Sequence, residues 1–511
     1  MRFSNRHGNV FLVEGDEEEV ASLFARYSRS PLGLREQYAA MAHEAGAEPP
    51  SFADCDDTIA ARLADEMKRR AARLHEKYVV GYGHGSVAEH AVVHLGVERC
   101  SIVAAKAIEE RRLGLAYTEK STRYVKFDEG SMLLDGAVPE AASAEYAESC
   151  RRLMRSYLRL AASVESRLAS DFPGVPDGAR RAKALDLLRG LLPASTLTNV
   201  GVTGNARAVA HAVRVMRGSP LPEVRSVADA IHRESSVSVP TLLRRSERDG
   251  HTAEAAARVF EAVSRLSLDG LSSVASAAFL RSISGSRSEA GVQAGLVPQH
   301  SVRLLRAIGL SHCDVASNII AWTSGRLPPE LADGPAPFSH ADSAKIIDAY
   351  LGGRPERGRV GRALEGSSTS WEITCDYGAW RDLQRHRVVS ATTPRLDATL
   401  GFWRSPSLEH FGVAAEFDDE VDRAGRLARS IAQDDPDAAQ YATPMAYRVR
   451  YRLDLNLREL FHLVELRSAR GGHESYRWIA QQMGTVVCNL CPWLSGHLRV
   501  DREHYDFARQ G

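Results

Sequence analysis

The chain has 511 residues, too many for one compact domain, so two domains of roughly 250 residues are the natural expectation. A hydrophobic fraction of 44% and a charged fraction of 25% are those of an ordinary globular protein. Formal net charge is zero, which excludes a global field drawing in polymeric nucleic acid or an anionic membrane.

The N-terminal residues contain no apolar signal core, and no run reaches membrane-spanning length, so a cytoplasmic location is expected. Seven cysteines, an odd number scattered from Cys55 to Cys491, argue against a disulfide framework. Cys488 and Cys491 form a C-x-x-C, but no second pair or nearby histidine cluster completes a zinc site, and no metal is expected.

Residues 9–30 read as a short strand, an acidic turn suited to a helix N-terminus, and a helix. Residues 81–124 open on turn chemistry at Gly81, Gly83 and Gly85, which places His84 on a loop. A β-type run over 91–97 and a helical run over about 100–112 follow. The stretch closes on Glu119, Ser121, Arg123 and Tyr124. At alternate positions an acid, a hydroxyl and a guanidinium can share one side of an extended segment. Such a set suits either an oxyanion ligand with a polar ring attached or a solvated charged loop.

A long amphipathic helix is predicted over 139–171, with Leu153, Tyr157, Leu160 and Val164 at helical spacing for core packing. A turn at 172–178 separates it from a second helix that Pro193 ends. Pro193, Asn205, Arg207 and His211 then recur as Pro444, Asn456, Arg458 and His462, all at one offset (444 − 193 = 251). Four identities in a single register establish a tandem duplication. Residues 301–324 likewise repeat the strand, turn and helix of residues 9–30. The expected organisation is copy one over 1–240, a Ser/Ala/Gly-rich connector over 241–294, and copy two over 295–505.

Gly83, His84, Ser86, Glu89 and His90, with Glu119, Ser121 and Arg123, resemble the signature of the flavin-dependent thymidylate synthases (the ThyX family). That signature has a G-H-x-(T/S)-x-x-E-H segment and, later, R-H-R-x-x-S-x-N-E-x-S-x-R. Copy one matches the E-x-S-x-R end but offers Glu110, Arg111, Arg112 and Leu113 for R-H-R, with extra residues before Tyr117. Copy two supplies Arg385, His386, Arg387 and Ser390 for R-H-R-x-x-S and then lacks the remainder. His90 and His94, with Glu89 and Glu98, could be imagined as metal ligands, but they fall where the family has a strand.

The resemblance implies an α+β fold: two tandem copies of a ThyX-like domain, each a mixed β-sheet flanked by helices. It implies transfer of a methylene from methylenetetrahydrofolate to carbon 5 of a uracil nucleotide such as dUMP. Reduction would use FAD, with NADPH as hydride source. Glu119, Ser121, Arg123 and Arg189 would bind the nucleotide; copy two has Gln440 where copy one has Arg189. Arg385, His386 and Arg387 would meet flavin phosphates and His84 its ring system, with Ser28, Asn456 and His462 as further cofactor residues. Arg467 would lie near the pyrimidine and, with His84, serve catalysis; copy one has Met216 there with Arg217 beside it.

Family enzymes are homotetramers with shared sites, so a tandem chain would form a homodimer, a pseudo-tetramer with composite sites. Two other readings stay open: the same chemistry on a different pyrimidine nucleotide or nucleoside-pathway intermediate, and a catalytically decayed nucleotide- or flavin-binding scaffold.

Overall fold

The computed structural model describes residues 2–5, 7–14, 27, 30–44, 88–89, 91–244, 246, 300–325, 338–356 and 358–507. Contacts group the chain into two compact units. The first takes Met1–Cys150, Ala194–Leu296 and Ser430–Ala442; the second takes Arg151–Pro193, Val297–Arg429 and Thr443–Gly511.

In the first unit five strands are ordered β1-β2-β3-β5-β4: β1 Arg2–Phe3, β2 Val10–Glu14, β3 Val92–Ser101, β4 Leu115–Glu119 and β5 Leu197–Asn205. β2 and β3 approach closely because position 96 is glycine: a Cβ there would stand 2.6 Å from the Phe11 ring. A β-bulge between Val97 and Cys100 bends β3, with Arg99 in the left-handed region at φ 53°. β3 ends on Ser101, whose hydroxyl accepts from Ala104 N–H and so starts the helix Ile102–Glu109. Helix Pro222–Ser238 packs on β2 and β3. Its Glu223 carboxylate accepts from the Ser101 N–H and hydroxyl and from the Tyr441 hydroxyl.

In the second unit four strands are ordered β6-β7-β9-β8: β6 Ser301–Ile308, β7 Ser368–Asp376, β8 Val389–Ala391 and β9 Arg448–Asn456. This repeats the β2-β3-β5-β4 order of the first unit. β7 ends on Asp376, which caps the helix Tyr377–Leu383 as Ser101 caps its own. Trp371 and Trp380 fill the core with Phe461 and Leu463 of the helix Leu457–Ser468. Every ladder among the described residues is antiparallel, where the resemblance implied a mixed sheet.

The duplication is thus structural as well as sequential. Leu115 pairs with Gly204 and Val389 with Leu455, and 455 − 204 = 251 is the offset of the sequence repeat. Asn205 and Asn456, at that same offset, both end a strand and cap the helix that follows. The predicted long helix runs Glu140–Asp171 and buries Leu153, Tyr157, Leu160 and Val164. No helix among the described residues is long and apolar enough to cross a membrane.

Candidate functional site

The second unit gathers most of the copy-two residues that the sequence singles out. Arg385, His386 and Arg387 form the turn between helix Tyr377–Leu383 and β8. His386 is buried, its Nδ1 2.6 Å from Glu459 Oε1 and its Nε2 accepting from Arg467 Nε at 2.9 Å. With a guanidinium donating to Nε2, the ring proton sits on Nδ1 and is given to Glu459. Arg467 in turn lies over the Tyr476 ring, 5.4 Å from its centroid. The His462 ring is 5.4 Å from that of His386.

Asn456, Arg458, His462 and Arg359 line a cavity of about 100 Å³ beside this cluster, walled by Val360, Val388 and Phe461. Burial pushes the His462 imidazole below its ordinary value; His386, Arg359 and Arg467 push the same way, and Glu459 opposes them. Glu459 and Glu465 line the cavity beside Arg359 and Arg458, so it offers both charges to a polar ligand. The donor atoms of His386, Glu459 and His462 lie within 4.8 Å of one another, close enough to hold a metal ion. A cation ligated by His386 Nε2 would have to displace the Arg467 guanidinium.

Arg189 also lies in the second unit and is buried, with NH1 3.2 Å from Asp382 Oδ2. Its Nε and NH2 are buried with no hydrogen-bond partner among the described residues. The guanidinium rests against Gly378, where a Cβ would stand 3.2 Å from both of those nitrogens. Buried donors left without acceptors are costly, and they mark a place where an oxyanion would be stabilised.

In the first unit the nucleotide-type residues divide. Glu119 ends β4 and is buried, with Lys106 Nζ 3.8 Å from its Oε2 and Glu109 bonded to the same ammonium. Ser121 and Arg123 do not continue the strand, as an extended segment would require. The chain turns, with Val125 N–H donating to the Ser121 carbonyl at 3.1 Å. The turn brings Arg123 N–H to 3.2 Å from Ser121 Oγ.

Arg111 and Arg112 lie on the segment equivalent to that of Arg385, His386 and Arg387. The ladders make Ser101 equivalent to Asp376 and Leu115 equivalent to Val389, so copy one has one residue more between them (115 − 101 = 14 against 389 − 376 = 13). The two half-signatures stand on equivalent helix–turn–strand segments. Met216, the equivalent of Arg467, is buried, and Arg217 is bonded to Asp229 and the Ser246 carbonyl. Gln440 donates to the Asp437 carbonyl.

Ser28, His84 and His90 lie outside the described residues. His94 bonds Thr203, Glu89 bonds Arg207 and Glu98 accepts from Leu34 N–H, so these three do not converge. Cys491 Sγ bonds the Leu310 carbonyl. Sequence reasoning missed Glu459, Lys106 and Glu109. Glu459 sits three residues after the capping Asn456, which was the available signal.

The family model described as thymidylate synthase complementing protein matches residues 18–241 and 337–493. The chain belongs to this family. It is a tandem, duplicated homologue of the flavin-dependent thymidylate synthases. The UPF0159 protein of Chlamydia muridarum is 30% identical over 526 residues, covering 99% of this chain and 94% of its own length. A UPF0159 protein of Chlamydia pneumoniae is 31% identical over 522 residues, with the same coverage. The flavin-dependent thymidylate synthase of Thermococcus onnurineus is 27% identical over 149 residues, 29% of this chain and 55% of its own. The solved structure of the UMP/dUMP methylase PolB from Streptomyces cacaoi, bound with 5-Br dUMP, matches 40% of this chain and 97% of its own. Identity is 18% and the TM-score 0.31, and at that score the likeness decides nothing here.

Proposed function

We propose that the protein is a flavin-dependent enzyme that methylates a uracil nucleotide of the dUMP type at carbon 5. Methylenetetrahydrofolate would give the carbon and NADPH the reducing equivalents. The observation that carries this reading is the complementary loss: copy one keeps Glu119, Ser121 and Arg123, and copy two keeps Arg385, His386 and Arg387, on equivalent segments. Decay without function would have no reason to spare opposite halves.

In this reading Ser121 and Arg123 hold the nucleotide phosphate, with Arg189 supplying the uncommitted donors of a buried guanidinium. Glu119 is oriented by Lys106, whose ammonium stands 3.8 Å from its Oε2. Arg467 is held by His386 and Glu459, which leaves its terminal N–H groups to polarise a pyrimidine carbonyl.

The donor set at Arg385, Arg387, His462 and Asn456 fits the phosphate end of FAD. The 100 Å³ cavity does not take its ring system. FAD would supply hydride when bound; the chain's own residues bind, orient and exclude water. The proposed assembly is a homodimer carrying four copies. Calorimetry of dUMP on flavin-loaded protein tests the substrate: saturable binding supports it, and no binding refutes it.

A further inference from the structure

The first unit contains a cavity of about 730 Å³ that, apart from Glu98, none of the site residues above lines. It lies between the β1 end, the start of helix Leu34–Glu44, the β3 bulge and the loop after β4. That volume is within the range of pockets that take small-molecule ligands.

Lys120 reaches it from the side of β4 opposite to Glu119. The ladder continues one residue past Glu119, with Lys120 N–H donating to the Asn199 carbonyl at 2.9 Å. Successive side chains on a strand alternate faces, so Glu119 goes to Lys106 while Lys120 goes to the cavity with Asn199. The Lys120 side chain is only 9% exposed. Its ammonium makes no hydrogen bond or ion pair among the described residues; its contact is the Phe127 ring, 4.7 Å away.

The other charges in the wall are mostly committed locally. Arg35 donates to the Asn5 and Gly8 carbonyls and stacks on Phe11. Glu36 and Glu98 accept from Gly33 and Leu34 N–H, and Asp128 accepts from Gly130 N–H and the Ser131 hydroxyl. Lys120, Lys126 and the remaining donors of Arg99 are left for a ligand, with Phe3, Tyr38 and Leu197 as apolar wall.

We infer that this cavity is a second binding site, for a small phosphorylated ligand with an apolar body, whose phosphate is held by Lys120 with Arg99 and Lys126. The inference stands apart from the methylation reading, since it uses none of the same residues. Burial, and secondarily Arg99, lower the Lys120 ammonium below its ordinary value, while Asp128 opposes them. A buried ammonium whose nearby carboxylate, Asp128, makes no ion pair with it among the described residues gains from an arriving anion.

The experiment uses the full chain and inorganic pyrophosphate as probe. Calorimetry should show saturable binding that Lys120→Gln weakens by at least about tenfold, that Lys120→Arg largely keeps, and that Lys345→Gln, an exposed lysine outside both sites, leaves unchanged. Pyrophosphate should also slow acetylation of Lys120 in the unmodified protein, read by mass spectrometry, which decides the matter if Lys120→Gln does not fold. Absence of that protection, or equal loss in Lys345→Gln, overturns the assignment.

Discussion

Asn205 and Asn456 perform the same act in the two copies. Each closes a strand, and its side-chain oxygen accepts from the N–H three residues on, at 2.9 Å from Ala208 and 2.8 Å from Glu459. The repeat therefore preserves a helix start that also fixes the approach of strand to helix. Replacing either residue by Ala should cost about 1 kcal/mol of stability, and Asn456→Ser should recover most of it. Denaturant midpoints of the three variants give the comparison, and a neutral Asn456→Ala would remove the capping role.

Arg467 and His386 form the second relationship with consequences. The Arg467 Nε donates to His386 Nε2, so lysine, which has no Nε donor at that reach, cannot replace it. Arg467→Ala and Arg467→Lys should both lower turnover by more than about tenfold with little change in folding. Recovery of turnover in Arg467→Lys would show that charge alone matters.

Arg123 and Arg189 should separate by stability. Arg123 lies in a half-buried turn, whereas Arg189 is buried against Asp382. Arg123→Ala should weaken dUMP binding with an unchanged melting curve. Arg189→Ala should weaken binding and also destabilise the fold by roughly 3 kcal/mol, because it breaks a largely buried ion pair with Asp382. Gln440→Ala should do neither. Thermal melting beside calorimetry distinguishes the three.

Acid should weaken the second unit through His300. Its ring lies 4.8 Å from Trp403 with Nε2 2.9 Å from Ser475 Oγ, and Nδ1 has no hydrogen-bond partner among the described residues. Burial lowers its value, Arg448 adds to that, and Asp376 opposes both. A folded value below the unfolded one means the unfolded chain takes up protons first. The contribution is thus complete above about pH 6.5 and is lost as pH falls below it towards the folded value. His300→Gln should flatten the fall in stability between about pH 7.5 and 5.5. An unchanged slope would assign that pH dependence to other groups.

Much of this architecture was legible because the repeat offset fell on residues with fixed structural jobs: Pro193 and Pro444 in turns, Asn205 and Asn456 as caps. The place of copy one's extra residue was not legible. The offset is 376 − 101 = 275 at the helix cap and 389 − 115 = 274 at the strand, unlike the 251 of the later strands, and only the ladders reveal it. The turn after Glu119 was missed because period-two spacing says nothing about where pairing stops. Burial of Glu119 beside Lys106 depends on a helix packed behind the strand, which the strand's own residues do not encode.

The isoalloxazine absorbance of purified, flavin-reconstituted protein tests the division of labour most directly. Wild type should bind flavin, the Arg385→Ala/Arg387→Ala double variant should lose it while remaining folded, and Arg111→Ala/Arg112→Ala should keep it. Full flavin retention by a folded Arg385→Ala/Arg387→Ala protein would contradict the account.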